Sequence, residues 1–406
     1  MNTTVLSTAP SARDHPLAVR LLLNVGHAID HMFLLIFAAA VGTIAAEFGF
    51  AKWEDLMPYG VGAFFLFGIG SLPSGRLGDL WGRRRMMLVF FFGMGAAALL
   101  TATTQNAWQM AAGLTLIGAF ASIYHPVGIP MLVQRAANPG TVIGINGLAG
   151  NLGIAVAALV TGFLVKWLGW RAAFALPGLV SIGCGALFAH LCPPETEAPA
   201  KRKGGARVAL SRPLLARALI VMTATSVTGA LLFNFTTNGN GQLLAERFRG
   251  VAEDPALLGT LLAVVYAIAS LAQVIVGRLV DRFAIKPFFF VIALAQIPSL
   301  ALAAYAQGWW LFACLVSVMV FIFGAIPFID VMIVRYVDDR ARSRVAGMRL
   351  AVSLGFSSLA VWLLGPLVKG LGFGVLFTAL AALAACTATL VCLLPAEPAD
   401  SSTVPK

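Results

Sequence analysis

The chain has 406 residues, 59% of them hydrophobic and only 11% charged, with a net charge of +11 and a mean hydropathy of +0.89. Soluble domains carry roughly 25% charged residues, and surface-to-volume scaling leaves a water-soluble fold no place for this much apolar surface. The basic residues fall in short clusters between long apolar runs, the pattern of cytoplasmic loops and not of a nucleic-acid groove.

Residues 1–18 read as a polar cytoplasmic tail with Pro10 and Pro16 and no cleavable signal peptide, so the first helix acts as its own insertion signal. About 20 apolar residues cross about 30 Å of hydrocarbon. On that measure the sequence predicts an all-α integral membrane fold with twelve spans, near 19–46, 56–77, 86–104, 107–134, 142–165, 171–191, 213–244, 256–279, 286–306, 308–336, 344–368 and 372–394. A polar linker over 193–212, with Lys201-Arg202-Lys203 and Gly204-Gly205, splits a six-helix bundle (19–192) from a second one (213–394), and 395–406 form a polar tail. With both termini cytoplasmic, only Lys52, Lys166, Arg171, Arg247, Arg249 and Lys369 of the 28 basic residues face outward. Pro126, Pro327 and Pro366 lie inside spans and are expected to kink them.

Helix 1 carries Asn24, His27, Asp30 and His31, with His27 three residues from Asp30 and four from His31, hence on one face. Ionisable groups at membrane depth are costly and line cavities or proton paths, and histidine titrates near neutrality. The cluster is read as a proton-coupling or substrate site, or else as a polar group satisfied between helices. Helix 4 adds Tyr124 and His125 before Pro126, which frees a backbone carbonyl one turn earlier. Helix 5 adds Asn151 within Gly150-Asn151-Leu152-Gly153. Helix 7 has a polar uncharged run including Asn234 and Asn238, which either lines a polar path or marks a helix broken at Gly239 and Gly241. Asp330 in helix 10 either pairs with Arg335 or forms a second cation site, and Arg135 and Arg335 at the inner helix ends either attract an anion or snorkel.

Two sequence matches recur at nearly one offset. Gly75-Arg76-Leu77-Gly78-Asp79 returns as Gly277-Arg278-Leu279-Val280-Asp281, and Leu164-Val165-Lys166 with Leu168-Gly169 returns as Leu367-Val368-Lys369 with Leu371-Gly372. This spacing predicts a duplicated six-helix unit whose copies run in parallel and enclose a path near the midplane.

The run Gly75-Arg76-Leu77-Gly78-Asp79-Leu80-Trp81-Gly82-Arg83-Arg84 resembles the helix 2–3 loop of the major facilitator superfamily, G-x-L-x-D-x-x-G-R-[RK], at every position. The second copy keeps Gly277, Leu279, Asp281 and Lys286 but has Ala284 where the family prefers glycine. The resemblance implies a latch made of Gly75, Asp79, Gly82, Arg83, Arg84, Gly277 and Asp281, which holds one transport state and breaks in another. The alternative is that these arginines only mark the cytoplasmic side. The His-x-x-Asp of helix 1, the aromatic-His-Pro of helix 4 and the Gly-Asn-x-Gly of helix 5 look like the fosmidomycin-resistance branch. That likeness implies proton-driven export of small anionic drugs. Helix 5 departs from the antiporter pattern G-x8-G-x3-G-P-x2-G-G, with Ala157-Ala158 in place of Gly-Pro.

The expected function is secondary active transport of a small organic molecule, by proton antiport or alternatively by uptake symport of an organic acid or nutrient. A transporter-derived receptor is the reading from another class. The expected partners are the substrate, protons and the lipid bilayer, for a monomer in the inner (plasma) membrane. No catalytic set, phosphate loop, cofactor or metal-ligand pattern is read from the sequence, and Cys184, Cys192, Cys314, Cys386 and Cys392 read as small core residues.

Overall fold

The computed structural model describes residues 16–133, 139–194, 212–280, 283–336 and 339–395, and these are helical with no strand. The first half of the chain comprises α1 (Leu17–Glu47), α2 (Trp53–Leu56), a 3₁₀ turn (Met57–Gly60), α3 (Val61–Ile69), α4 (Ser71–Trp81), α5 (Arg83–Ala102) and α6 (Ala107–Ala121). A π-helical turn (Tyr124–Gly128), α7 (Ile129–Val133), α8 (Pro139–Leu168) and α9 (Trp170–Leu191) complete it. The second half holds α10 (Arg212–Arg247), α11 (Pro255–Val280), α12 (Ile285–Ala303), α13 (Gly308–Tyr336) and α14 (Asp339–Cys392). Ten helices among the described residues are long and apolar enough to cross a membrane, or eleven with the bent pair Trp53–Ile69 and Ser71–Gly78 taken as one span.

Glycine sets where helices stop. Gly82 alone joins α4 to α5 at φ 94°, a conformation that an L side chain enters only at a cost. Gly169 and Gly372 take nearly the same φ, 81° and 78°, where α8 meets α9 and where α14 breaks. The matched Leu-x-x-x-Leu-Gly segments read from the sequence therefore end in the same backbone turn.

Proline placement explains where the helices differ from expectation. The single span foreseen over 56–77 is bent by 40° at Gly70, because Pro73 has no N–H for a bond back to residue 69 and is tolerated only in the first turn of a new helix, α4. Pro126 opens the π turn. Pro327 and Pro366 instead lie within α13 and α14, which continue through them. α10 is also continuous through Gly239 and Gly241, so the foreseen break in helix 7 is not present. Of the five cysteines, all free, Cys192 and Cys314 are buried while Cys386 and Cys392 are exposed on the outer surface of the bundle, which corrects the core reading for those two.

The halves meet along two seams, α8 against α11 and α3 against α14. Both tighten at the end of the molecule distal to the chain termini. A Cβ on Gly162 would lie 2.5 Å from the Pro255 carbonyl oxygen and 3.1 Å from Gly259 Cα, and one on Gly365 would run into the Glu54 carbonyl. One turn further along, Lys166 pairs with Asp254 and Lys369 pairs with Asp55. The two ties are reciprocal: each half supplies one glycine-and-lysine pair and receives the other. The Lys166 ammonium, with help from the Leu257 and Ala256 N–H groups, holds the Asp254 carboxyl below its ordinary range. Between the seams, Leu35, Ala38, Ile154, Thr237, Asn238 and Tyr266 enclose a gap of only about 10 Å³, room for one water at most. The distal end is therefore shut.

Candidate functional site

α1 is the most enclosed span, with 72% of its apolar window buried. Its polar residues therefore face protein and not lipid, as buried charge at membrane depth requires. Asp30 is fully buried and His27 is 5% exposed.

Successive residues of an α-helix point about 100° apart, yet Tyr124 and His125 both reach His27. The π turn makes this geometry available. The Tyr124 ring stacks on His27 at 4.7 Å, and the His125 ring meets it edge-on at 5.0 Å. Gly75 and Gly78 of α4 back this turn, where Cβ atoms would stand 3.2 Å from Pro126 and 2.9 Å from Val127. The glycines of the helix 2–3 pattern thus support the histidine turn.

A continuous polar network ties α1, the π turn and α8 together. Tyr124 Oη donates to the Leu23 carbonyl at 2.7 Å and accepts from Asn146 Nδ2 at 2.7 Å. The same Asn146 amide donates to Asn24 Oδ1 at 2.9 Å. His27 Nδ1 lies 2.7 Å from the Asn146 carbonyl. A carbonyl only accepts, so Nδ1 carries the proton and His27 Nε2 presents a lone pair. His31 Nε2 sits 3.1 Å from that Nε2. His125 Nε2 stands 3.7 Å from Asp30 Oδ2, beyond hydrogen-bond range. Among the described residues, neither Asp30 oxygen nor His125 Nε2 has a hydrogen-bond partner. Room for His27 comes from Gly150, where a Cβ would be 2.6 Å from its ring.

Six of the residues singled out in the sequence thus form one cluster: Asn24, His27, Asp30, His31, Tyr124 and His125. Others stand apart. Asn151 is buried on α8 beside Gly150 without a hydrogen bond to the histidines. Asn234 and Asn238 donate back to the Ala230 and Asn234 carbonyls of their own helix, and Asn238 reaches the narrow seam. The side chains of Asp79, Asp330 and Arg335 lie outside the described set, as do residues Asp281 and Arg135. Gly277 faces open space, unlike Gly75. Arg84 donates to the Cys192 and Ala189 carbonyls at 2.6 and 2.7 Å, capping α9 within its own half. Lys286, its counterpart in the second half, donates to the Leu394 carbonyl at 3.0 Å. Arg83 reaches the Pro130 carbonyl at 3.3 Å. These described bonds of the two arginines lie within the first half.

Two residues join the site that the sequence does not single out. Asn146 is a common residue in an apolar helix, and only its three bonds reveal it. Arg349 of α14 projects a charge felt at His125. It borders a cavity of about 250 Å³ with Leu219, Met222, Thr223, Met348 and Val352, between α10 and α14.

A bundle of long apolar helices with ionisable groups buried inside it defines a multi-pass membrane protein. The chain belongs to the Major Facilitator Superfamily, which it matches over residues 23–245, and membership makes it a transporter and not an enzyme. It is 32% identical over 151 residues to the "Probable actinorhodin transporter" of Streptomyces coelicolor, a stretch covering 35% of this chain and 26% of that protein. It is 32% identical over 108 residues, 26% of this chain and 22% of the relative, to the puromycin resistance protein pur8 of Streptomyces alboniger. The matched stretches thus span about a quarter of those relatives' length. Among solved structures it resembles a mutant of the nucleoside transporter NupG, with a TM-score of 0.73 at 14% identity over 93% of this chain and all of that one. It also resembles a bacterial homologue of the human lysosomal transporter Spinster, with a TM-score of 0.70 at 15% identity over 93% of this chain and 94% of the other. These structural likenesses show the fold.

Proposed function

We propose that the protein exports a small organic molecule in exchange for protons, by alternating access, and that Asp30 is the proton-carrying group. The observation that carries this reading is a fully buried carboxylate with no hydrogen-bond partner among the described residues, 3.7 Å from the His125 imidazole and on the same helix as His27 and His31. An uncompensated anion at that depth is strongly disfavoured, so Asp30 holds a proton until a route to water opens. The titratable and charged groups around it are His27, His31, His125 and Tyr124 from its own half and Arg349 from α14.

The remaining finer readings follow from the same view. The 45-residue segment Met348–Cys392 would be about 68 Å long as one helix, twice a membrane's core, so its break at Gly372 makes it two crossings. With the bent pair this gives twelve, in two six-helix halves. Both termini are placed in the cytoplasm of the plasma membrane, with the tied end outside, and the protein works as a monomer. Export is favoured over uptake by the relatives named for actinorhodin and puromycin, and Arg349 beside the cavity suits an anionic group on the substrate. The fosmidomycin-resistance likeness points the same way.

The test is proton flux. Proteoliposomes containing a pH-sensitive dye are challenged with a panel that includes puromycin, hexose phosphates and small phosphonates. A substrate is expected to evoke proton movement with the wild type and none with Asp30→Asn, which retains substrate exchange. Proton movement that survives in Asp30→Asn would remove Asp30 from the mechanism.

A further inference from the structure

The histidines of α1 and the π turn have a geometry that proton carriage does not require. The ligand nitrogens of His27, His31 and His125 all lie within 4.8 Å of one another. We propose that these three nitrogens form a binding site for a late divalent transition-metal ion of the zinc, cobalt and nickel class, with Asp30, 3.7 Å from His125 Nε2, as the adjacent counter-charge.

Several independent features of the cluster fit such an ion. Four-coordinate zinc holds imidazole nitrogens at about 2.0–2.1 Å, which puts the nitrogens about 3.3 Å apart. The His27 Nε2 to His31 Nε2 separation is 3.1 Å, so these two already span one edge of that tetrahedron. The widest gap closes by rotation of His125, whose Nε2 has no hydrogen bond to give up. His27 is tied through Nδ1–H to the Asn146 carbonyl at 2.7 Å, the outer bond that fixes the tautomer and ring angle of metal-ligating histidines. His31 and His27 share one hydrogen between their Nε2 atoms in the present arrangement. On loading, His31 moves that hydrogen to Nδ1, so the imidazoles lose no net proton, while Asp30 releases to solvent the one proton it holds in the reading above. Asp30 supplies an anion with two unpartnered oxygens, 3.7 Å from His125 Nε2. A borderline cation suits three imidazole nitrogens, whereas magnesium and calcium take oxygen cages. A 2+ ion also compensates the buried carboxylate, which none of the neutral imidazoles does. Phe67 lies edge-on to His125 at 5.6 Å and Tyr124 stacks on His27, so the ligand rings are held by aromatic neighbours. Arg349 is the cation that acts on this site from α14, and its field opposes loading.

The site lies within one half of the chain and needs no gradient, so its test is separate from that of proton exchange. Tag-free full-length protein in detergent is titrated with Co²⁺, following the visible d–d bands of the four-coordinate ion. Saturation at one Co²⁺ per chain is expected, with a metal-dependent rise in unfolding temperature. His31→Ala and His125→Ala should each weaken binding by at least about tenfold, the lower bound seen for losing even an outer partner. The double variant should lose the bands. His190→Ala, at an exposed histidine outside the cluster, should change nothing, and Arg349→Gln should tighten binding. Unfolding curves of the variants without metal separate lost ligation from lost folding. Absence of d–d bands in the wild type, or bands that persist in a folded double variant, would overturn the proposal.

Discussion

Closing the distal end depends on two glycines more than on the two ion pairs beside them, and Gly365→Ala tests that ranking. A Cβ there would run into the Glu54 carbonyl, while one on Gly162 would sit 2.5 Å from the Pro255 carbonyl. Overpacking of a tight contact costs about 1–3 kcal/mol, and nearly all of it falls on the state in which the seam is shut. At 1.4 kcal/mol per tenfold, each substitution shifts the balance toward a distally open state by about 5- to 150-fold. The ion pairs Lys166–Asp254 and Lys369–Asp55 are about a third to a half exposed, and pairs of that kind are screened and weak. Spin labels on cysteines placed at the exposed distal residues Trp108 and Tyr305, in a chain freed of its native cysteines, read the distance across the seams. Gly365→Ala and Gly162→Ala should each populate a longer distance, with Lys166→Gln and Lys369→Gln giving smaller changes. The pH response has a definite sign. In the folded state the Lys166 ammonium holds the Asp254 carboxyl below the ordinary aspartate range. Its tie is therefore present above the ordinary aspartate range and is lost only as pH falls through the lower value. Between pH 8 and 5 the Asp254 tie should leave the distance unchanged. The ranking fails if neutralising a lysine opens the seam as far as the glycine substitutions do.

Two further outcomes are expected from the network and the helix caps. Gly150→Ala drives a methyl into the His27 ring and should lower stability by about 1–3 kcal/mol, read as a drop in unfolding temperature together with weakened Co²⁺ binding. Arg84→Ala frees the two carbonyls at the end of α9. Bonds from a charged donor are worth about 1.5–3 kcal/mol at most, less at a wet helix end, so a loss of about 1–2 kcal/mol is expected in thermal unfolding. Arg84→Lys should restore part of it, as Lys286 does with one bond in the second half.

Much of the architecture is legible in the sequence because hydrocarbon imposes one rule, long apolar runs folded as helices. Helix 1, foreseen over 19–46, is found as Leu17–Glu47. The break at Gly70 was hidden because Pro73 lies in a run whose hydropathy alone says one span. The helix-1 face with His27, Asp30 and His31 follows from three- and four-residue spacing. Asn146 does not, because its bonds reach 22, 119 and 122 residues along the chain and no local period connects them, and Arg349 lies on a helix of the second half. The Leu-Val-Lys repeat is plain in the letters. Its partners Asp254 and Asp55 emerge only when the halves are set face to face. Arg84 is singled out by the resemblance, while its bonds to the end of α9 become visible only in the fold.

The ring groups clustered beside the buried Asp30, His27, His31, His125 and Tyr124, all belong to the first half of the chain. Any proton or ion lodged there is therefore a passenger of that half. Under the alternating-access mechanism proposed above, it travels with that half and is not handed to the opposite one.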